Sequence, residues 1–425
     1  MRNQRLNIFA QVDVTLVILY LFLVLFGWMN IYAASQTENH QEVLDFGMRY
    51  GKQILWIGLG LVMGVFILFV DSFFYEKFAA FIYIGCMLSL MGLFVFGKNI
   101  NGATSWYNIG GLGLQPTEFA KTGTLLALAR LLSDKQFNFS LIKDKAKAFV
   151  IICVPAVLIT LQPDPGSALV YVSLILLFYR EGLHPRIMVI GTLAIVLFLT
   201  TLVFGYITVM VAVSLITILL VLYLVRTKKM SLRFDWGKML AVFSAAQVYV
   251  FSVYYLFHYI FKQRHRDRFN VLLGLSEDTS DIGYNTYQSI KTIVSGGLTG
   301  KGYLQGDRTQ GKFVPEQDTD YIFSTVGEEW GFLGSCLVIG LFLFLILRLL
   351  YLSEKQKSKF SRAFGYGVAS VFFFHVLINI GMVIGLFPTI GIPLPFFSYG
   401  GSSLWGFTIM LFIFIKLDAS KNYIL

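Results

Sequence analysis

Asp320 stands at the end of the chain's one long polar insert, residues 263–322, where the sequence turns at once into Tyr321-Ile322-Phe323 and a long apolar run. A carboxylate at such a boundary is partly desolvated and faces neighbouring charge, and both influences tune an acid for proton transfer. Asp320 is therefore the first candidate for a functional residue. Glu118 and Lys121, three apart after Gln115-Pro116, share a helix face. Either they neutralise each other and pin one helix to the next, or they contact a substrate. Glu328 and Glu329 read as structural, one of them bonding to a neighbouring helix. The five histidines, His40, His184, His258, His265 and His375, have no ligand spacing, so no structural zinc site is expected. Ser295-Gly296-Gly297-Leu298-Thr299-Gly300-Lys301-Gly302 approaches a phosphate loop. Ser295 replaces its first glycine, however, and Gly302 its magnesium-binding hydroxyl, so it reads as a flexible turn.

The elements that must position these groups are apolar. Of 425 residues, 56% are hydrophobic, 16% aromatic and only 14% charged, and the mean hydropathy is +0.70. Such a composition excludes a soluble enzyme and predicts an all-α polytopic membrane protein. Runs of about 20 apolar residues, the length that spans a bilayer, recur from end to end. Twelve spans are expected, near 14–34, 52–71, 78–97, 117–132, 147–161, 166–180, 186–204, 207–225, 238–261, 323–350, 363–385 and 403–416. The first is read as an uncleaved span rather than a signal peptide. Cys86, Cys153 and Cys336 lie inside apolar runs and read as small buried hydrophobes. The whole of 1–425 is read as a single transmembrane domain containing the loop 263–322.

Charge placement orients this bundle. With both termini cytoplasmic, most lysines and arginines fall in inner loops, and the short outer loops keep only Arg49, Lys52 and Lys98. The net charge of +10 then faces anionic lipid headgroups and requires no nucleic acid. Three segments fall outside: 98–116, 263–322 and 386–402. The first is turn-rich around Trp106. The last holds three prolines among apolar residues, which suits a re-entrant loop lining a site or, alternatively, a capping turn. Chemistry on that face has no ready nucleotide and must use an activated substrate or a gradient.

Several motifs, taken in order, resemble one family. Asn101-Gly102-Ala103-Thr104-Ser105-Trp106, Gln115-Pro116-Thr117-Glu118-Phe119-Ala120-Lys121 and Gln162-Pro163-Asp164-Pro165-Gly166-Ser167-Ala168 come first. Pro315-Glu316 with Thr319-Asp320-Tyr321-Ile322-Phe323 follows, then Gly327-Glu328-Glu329 with Gly331. Last come Asn379-Ile380-Gly381-Met382 and Gly391-Ile392-Pro393-Leu394-Pro395-Phe396-Phe397-Ser398-Tyr399-Gly400-Gly401-Ser402-Ser403. Together they resemble the SEDS family of RodA-like and FtsW-like proteins over most of the chain. The resemblance implies a peptidoglycan glycosyltransferase that polymerises lipid II outside the cytoplasmic membrane, with Asp320 as the catalytic acid of the family motif, acting as general base, and its near neighbour Asp318 as the second choice. It places Trp106, Glu118, Lys121, Lys301 and Ser398 as substrate-binding or supporting residues. A magnesium or manganese ion, or basic side chains among Lys121, Arg264, Arg266, Arg268, Lys301 and Arg308, would compensate the diphosphate. A class B penicillin-binding protein is the implied partner, and the short tails favour the RodA-like, elongation branch.

Ser105 and Pro165 depart from the family's usual arginine and leucine. The family usually has ten spans, so two of the twelve, between 186 and 261, are surplus. A lipid II transporter or a scaffold for a transpeptidase are the rival classes.

Overall fold

The computed structural model of the protein describes residues 11–36, 44–100, 102–110, 112–227, 235–261, 263–273 and 283–421. Among them nine helices are long and apolar enough to cross a membrane. The three other expected spans are also helical. Pro116–Ser133 carries Glu118, Lys121 and Arg130; Ile142–Leu161 opens on a charged turn; and the run Pro165–Arg180 is broken by a 3₁₀ turn at Val170–Ser173. Charge and fracture set these three apart from the nine. The chain is an all-α, multi-pass membrane protein.

Two compact units are formed, residues 1–183 with 285–425, and residues 184–284. In the larger unit the centre is the last two long helices, Lys359–Val383 and Gly401–Ala419, 72% and 83% buried over their apolar windows. Arg49–Phe69 and Ala79–Phe96, at 28% and 22%, turn most of their apolar residues outward, as a lipid-facing helix does. Small residues bring helices together. A Cβ at Gly406 would lie 3.0 Å from the Glu118 side chain, so the last helix packs directly on Pro116–Ser133. Helix starts follow the sequence. The Asp13 carboxylate accepts from Leu16 N–H, and Pro116 and Pro165 occupy first turns, where a missing N–H costs nothing.

The smaller unit contains Pro185–Phe204, Tyr206–Arg226, Asp235–Tyr255 continued by a π turn through Ile260, and the polar helix Gln263–Leu272. Gly205, at φ +79°, turns the chain between the first two. Gln247 donates to Met210 O and Ser214 Oγ, and Tyr249 donates to Ala194 O, which joins the three apolar helices. The expected surplus spans lie here.

Three features differ from the sequence reading. Residues 98–114 form an antiparallel sheet of Lys98–Ile100, Ala103–Ile109 and Leu112–Leu114, with Lys98 opposite Trp106 and Asn108 opposite Gly113. The expected span 323–350 is two elements. Ile322–Glu329 is a short buried helix, Gly331 at φ +66° breaks the chain, and the long helix runs Gly331–Glu354. Cys153 and Cys336 are exposed on their helices, and only Cys86 is partly buried, against Gly123. An apolar run does not distinguish a core face from a lipid face, because both select the same residues.

Candidate active site

The segment Asp318-Thr319-Asp320 is stitched to the C-terminal part of the chain by its backbone. The Asp318 carbonyl accepts from Tyr399 N–H at 2.9 Å, and the Thr319 carbonyl accepts from Ser398 Oγ at 2.6 Å. The Asp320 carbonyl accepts from Asn379 Nδ2 at 2.8 Å, and the same amide donates to Ile392 O at 2.8 Å. Three successive carbonyls thus have named donors from one loop and the helix before it, which fixes the backbone from which the Asp320 side chain projects. Tyr321, directly after it, is buried, and its hydroxyl meets Thr389 Oγ1 at 3.0 Å.

The loop 386–400 that supplies these donors is irregular, as three prolines require, and its Ile392, Leu394, Phe396, Phe397 and Ser398 are buried. Ser398 holds the loop to itself as well, accepting from Leu394 N–H at 2.9 Å. Gly391 adopts φ +78°, and a Cβ there would lie 3.2 Å from Asp320 Oδ2. The carboxylate therefore rests against bare backbone at Gly391. Asp320 itself is half-buried.

Asp318 is buried and ion-paired with Arg49 at 2.6 Å. Burial pushes its carboxyl above the usual range, and the Arg49 guanidinium opposes this. Arg49 also lies 3.5 Å from Glu316 and over the Tyr399 ring at 5.8 Å. The sequence reading used Arg49 only as a topology marker. The available signal was its rarity, as one of three basic residues in the short outer loops.

Glu118 and Lys121 make a buried pair, with Lys121 Nζ 2.8 Å from both carboxylate oxygens. The ammonium also lies 3.1 Å from His375 Nε2 and 5.0 Å from the Phe407 ring centroid. An ammonium only donates, so Nε2 must accept, and Nδ1–H then points to Pro393 O at 3.0 Å. A neutral imidazole thereby connects the pair to the proline-rich loop. The pair is thus tied to the same loop that contacts Asp320.

Lys301 belongs to a second group, around Glu328. The Glu328 carboxylate, fully buried, accepts from Lys301 Nζ at 2.7 Å, Arg308 N–H at 3.0 Å, Ser295 Oγ at 3.2 Å, and both Thr309 N–H and Thr309 Oγ1. Burial raises this acid, but those donors outweigh it and hold the carboxyl below its usual range. Glu329, buried beside it, is pushed up to about 7 by burial and by Glu328, and the backbone of Leu304 and Gly306 offsets this only in part. Arg308 bonds to Thr292 and Gln288 and lies over Phe313. Lys301 and Arg308 are thus engaged in ordering the loop 296–309. Arg266 is engaged in the smaller unit by His258 O and Gln263, and the Arg264 side chain lies outside the described residues.

Trp106 is half-buried in the sheet and packs over Gly113. The sheet is joined to the start of the helix Gly401–Ala419 by Ser402, which accepts from Gln115 N–H at 3.0 Å and donates to Gly113 O at 3.3 Å. Asp164 caps the helix Pro165–Leu169 through Ser167, and a Cβ at Gly166 would meet Ile390 O at 2.8 Å. The first outer motif, the Gln162–Ala168 motif and the loop 386–402 therefore converge, and the loop carries them to Asp320. Among the described residues no three His, Cys, Asp or Glu side chains gather as a metal cage.

Comparison with known proteins agrees with this architecture. The profile of the FtsW, RodA and SpoVE family, described as cell cycle protein, matches residues 14–234 and 211–423. The chain is 31% identical to the peptidoglycan glycosyltransferase RodA of Treponema pallidum, over 97% of this chain and 98% of that protein. It is 30% identical to the peptidoglycan glycosyltransferase MrdB of Escherichia coli K12, over 93% and 90%. A chain from a solved peptidoglycan synthase complex, described for its coordination of polymerization and crosslinking, superposes with a TM-score of 0.70. It is 26% identical, with 96% of this chain and 98% of that one covered. With the family profile spanning the bundle from its first helix to its last, this chain belongs to the FtsW, RodA and SpoVE family.

Proposed function

We propose that the chain is a RodA-like peptidoglycan glycosyltransferase that polymerises lipid II at the outer face of the cytoplasmic membrane, with both termini inside. The observation that carries this reading is the Asp320 carboxylate, set on a backbone fixed at three carbonyls and lying against Gly391. The near-full-length likeness to proteins named peptidoglycan glycosyltransferase supports the reaction class.

In the proposed reaction Asp320 accepts the proton of an acceptor sugar 4-hydroxyl as that oxygen attacks the donor's anomeric carbon. The bond from that carbon to the diphosphate breaks, the lipid diphosphate leaves as an anion, and the new β-1,4 link has inverted configuration. A diphosphate departs without protonation, so one carboxylate suffices where glycoside hydrolysis needs two. Rigid placement of the base is the chain's main contribution. Arg49, half-exposed and ion-paired with Asp318, is assigned to the diphosphate.

Among the described residues no side chains gather as a cage for a resident metal. Magnesium or manganese is therefore proposed as the diphosphate's counterion, and no step is routed through it. The superposition on a synthase-complex chain supports a separate class B penicillin-binding transpeptidase as partner. The test is a gel assay of the purified protein with lipid II, comparing wild type with Asp320→Asn. Glycan ladders from the first and not the second are expected. Ladders from both would remove Asp320 as base, and lipid movement without ladders would establish a transporter.

A further inference from the structure

A groove of about 840 Å³ opens in the larger unit at the end of the bundle opposite Asp320. The helix Ala79–Phe96 runs from this groove to the sheet, and Pro116–Ser133 runs back from the sheet to the groove. Near their middles these two helices touch: a Cβ at Gly123 would lie 2.9 Å from Cys86 Sγ. Beyond that contact Arg130 reaches across to Glu76, on the short helix Ser72–Lys77, at 2.7 Å.

Ile151, on the helix Ile142–Leu161, forms the third wall. Four residues after it stands Pro155, which has no N–H, so the Ile151 carbonyl lacks its helical donor. Tyr83 fills that role, its hydroxyl donating to Ile151 O at 3.0 Å. The tyrosine ring is thereby locked as part of the wall. The groove is a constructed feature, with an apolar body of Ala80, Ile84, Ala127 and Leu131 and a charged end.

We propose that this groove binds one phosphatidylethanolamine molecule. A cleft between membrane helices that opens at one bundle end suits an acyl chain in its body and a headgroup at its mouth. The charges select the headgroup. Arg130 is already neutralised by Glu76. That leaves Lys135 and Asp134, adjacent at the mouth, neither in an ion pair among the described residues. One cation and one anion match the phosphate and the ammonium of a zwitterionic lipid with a primary amine. A purely anionic headgroup satisfies Lys135 and is repelled by Asp134. A quaternary amine cannot hydrogen-bond to the carboxylate.

Native mass spectrometry of the full chain in detergent tests this with phosphatidylethanolamine, phosphatidylglycerol and phosphatidylcholine of one acyl composition. One retained phosphatidylethanolamine is expected, with the other two lipids retained less. Lys135→Ala should weaken retention about tenfold, the loss of one charge-assisted bond. Ala127→Phe, which fills the apolar body, should abolish retention, with the lipid-free melting temperature reporting that the bundle is intact. Equal retention of the three lipids, or retention unchanged in both variants, would overturn the proposal and leave ordinary boundary lipid. Preference for phosphatidylglycerol would overturn the assignment of the headgroup.

Discussion

Asn379 holds Asp320 from behind. Its amide donates one N–H to the Asp320 carbonyl and the other to Ile392 O, each at 2.8 Å, so one side chain sets the distance between Asp320 and the proline-rich loop. Asn379→Ala should lower the maximal rate of glycan formation about 100-fold, the cost of misplacing a catalytic group by roughly an ångström. KM for lipid II should move little, because Asn379 has both of its donors committed inside the protein. Steady-state rates over a lipid II titration check the split.

Gly391→Ala attacks the same interface from the other side. Its Cβ would lie 3.2 Å from Asp320 Oδ2, on a backbone at φ +78° that side chains rarely adopt. Activity should fall by at least an order of magnitude while the melting temperature drops only a few degrees. A fully active variant would show that the carboxylate does not work from this position.

Glu118 and Lys121 are buried together, so removing one strands the other. Glu118→Gln or Lys121→Met alone should cost about 3–5 kcal/mol, and the double replacement should recover much of it. A double-mutant cycle from thermal or denaturant unfolding in detergent measures the coupling. Additive losses would contradict a mutual pair.

Glu329 gives stability a pH dependence. Its carboxyl is pushed up to about 7 in the fold, above the usual glutamate value of 4.5. Between those values the folded chain holds a proton that the unfolded chain has released, so stability falls as pH rises through this window and is flat above it. The wild type should melt a few degrees lower at pH 8 than at pH 5, and Glu329→Gln should flatten that difference. Melting curves across the range settle the sign.

The groups with the clearest chemistry were legible in the sequence. Asp320 stood out at a polar–apolar boundary, three prolines announced an irregular segment within 386–402, and the spacing of Glu118 and Lys121 allowed a pair beside the alternative of substrate contact. What was hidden depended on contacts distant in sequence. Nothing local marks Arg49 as the partner of Asp318, 269 residues away. The split at Gly331 was masked because buried helix and membrane helix are both apolar there. The sheet at 98–114 escaped because two of its strands have three residues each, too short for alternation to register. Lys301 read as one possible counter-charge for the diphosphate because its partner Glu328 lies on the short helix after Asp320, 27 residues away.

The stitching of residues 318–320 to residues 379–399 also bears on biogenesis. A ribosome that has threaded the first 370 residues into the membrane has delivered the aspartate but neither the amide, the hydroxyl nor the backbone N–H that hold its segment. Residues 318–320 therefore lack the donors that hold them until the last hairpin enters the bilayer, and their placement is completed only when residues 379–399 have been made.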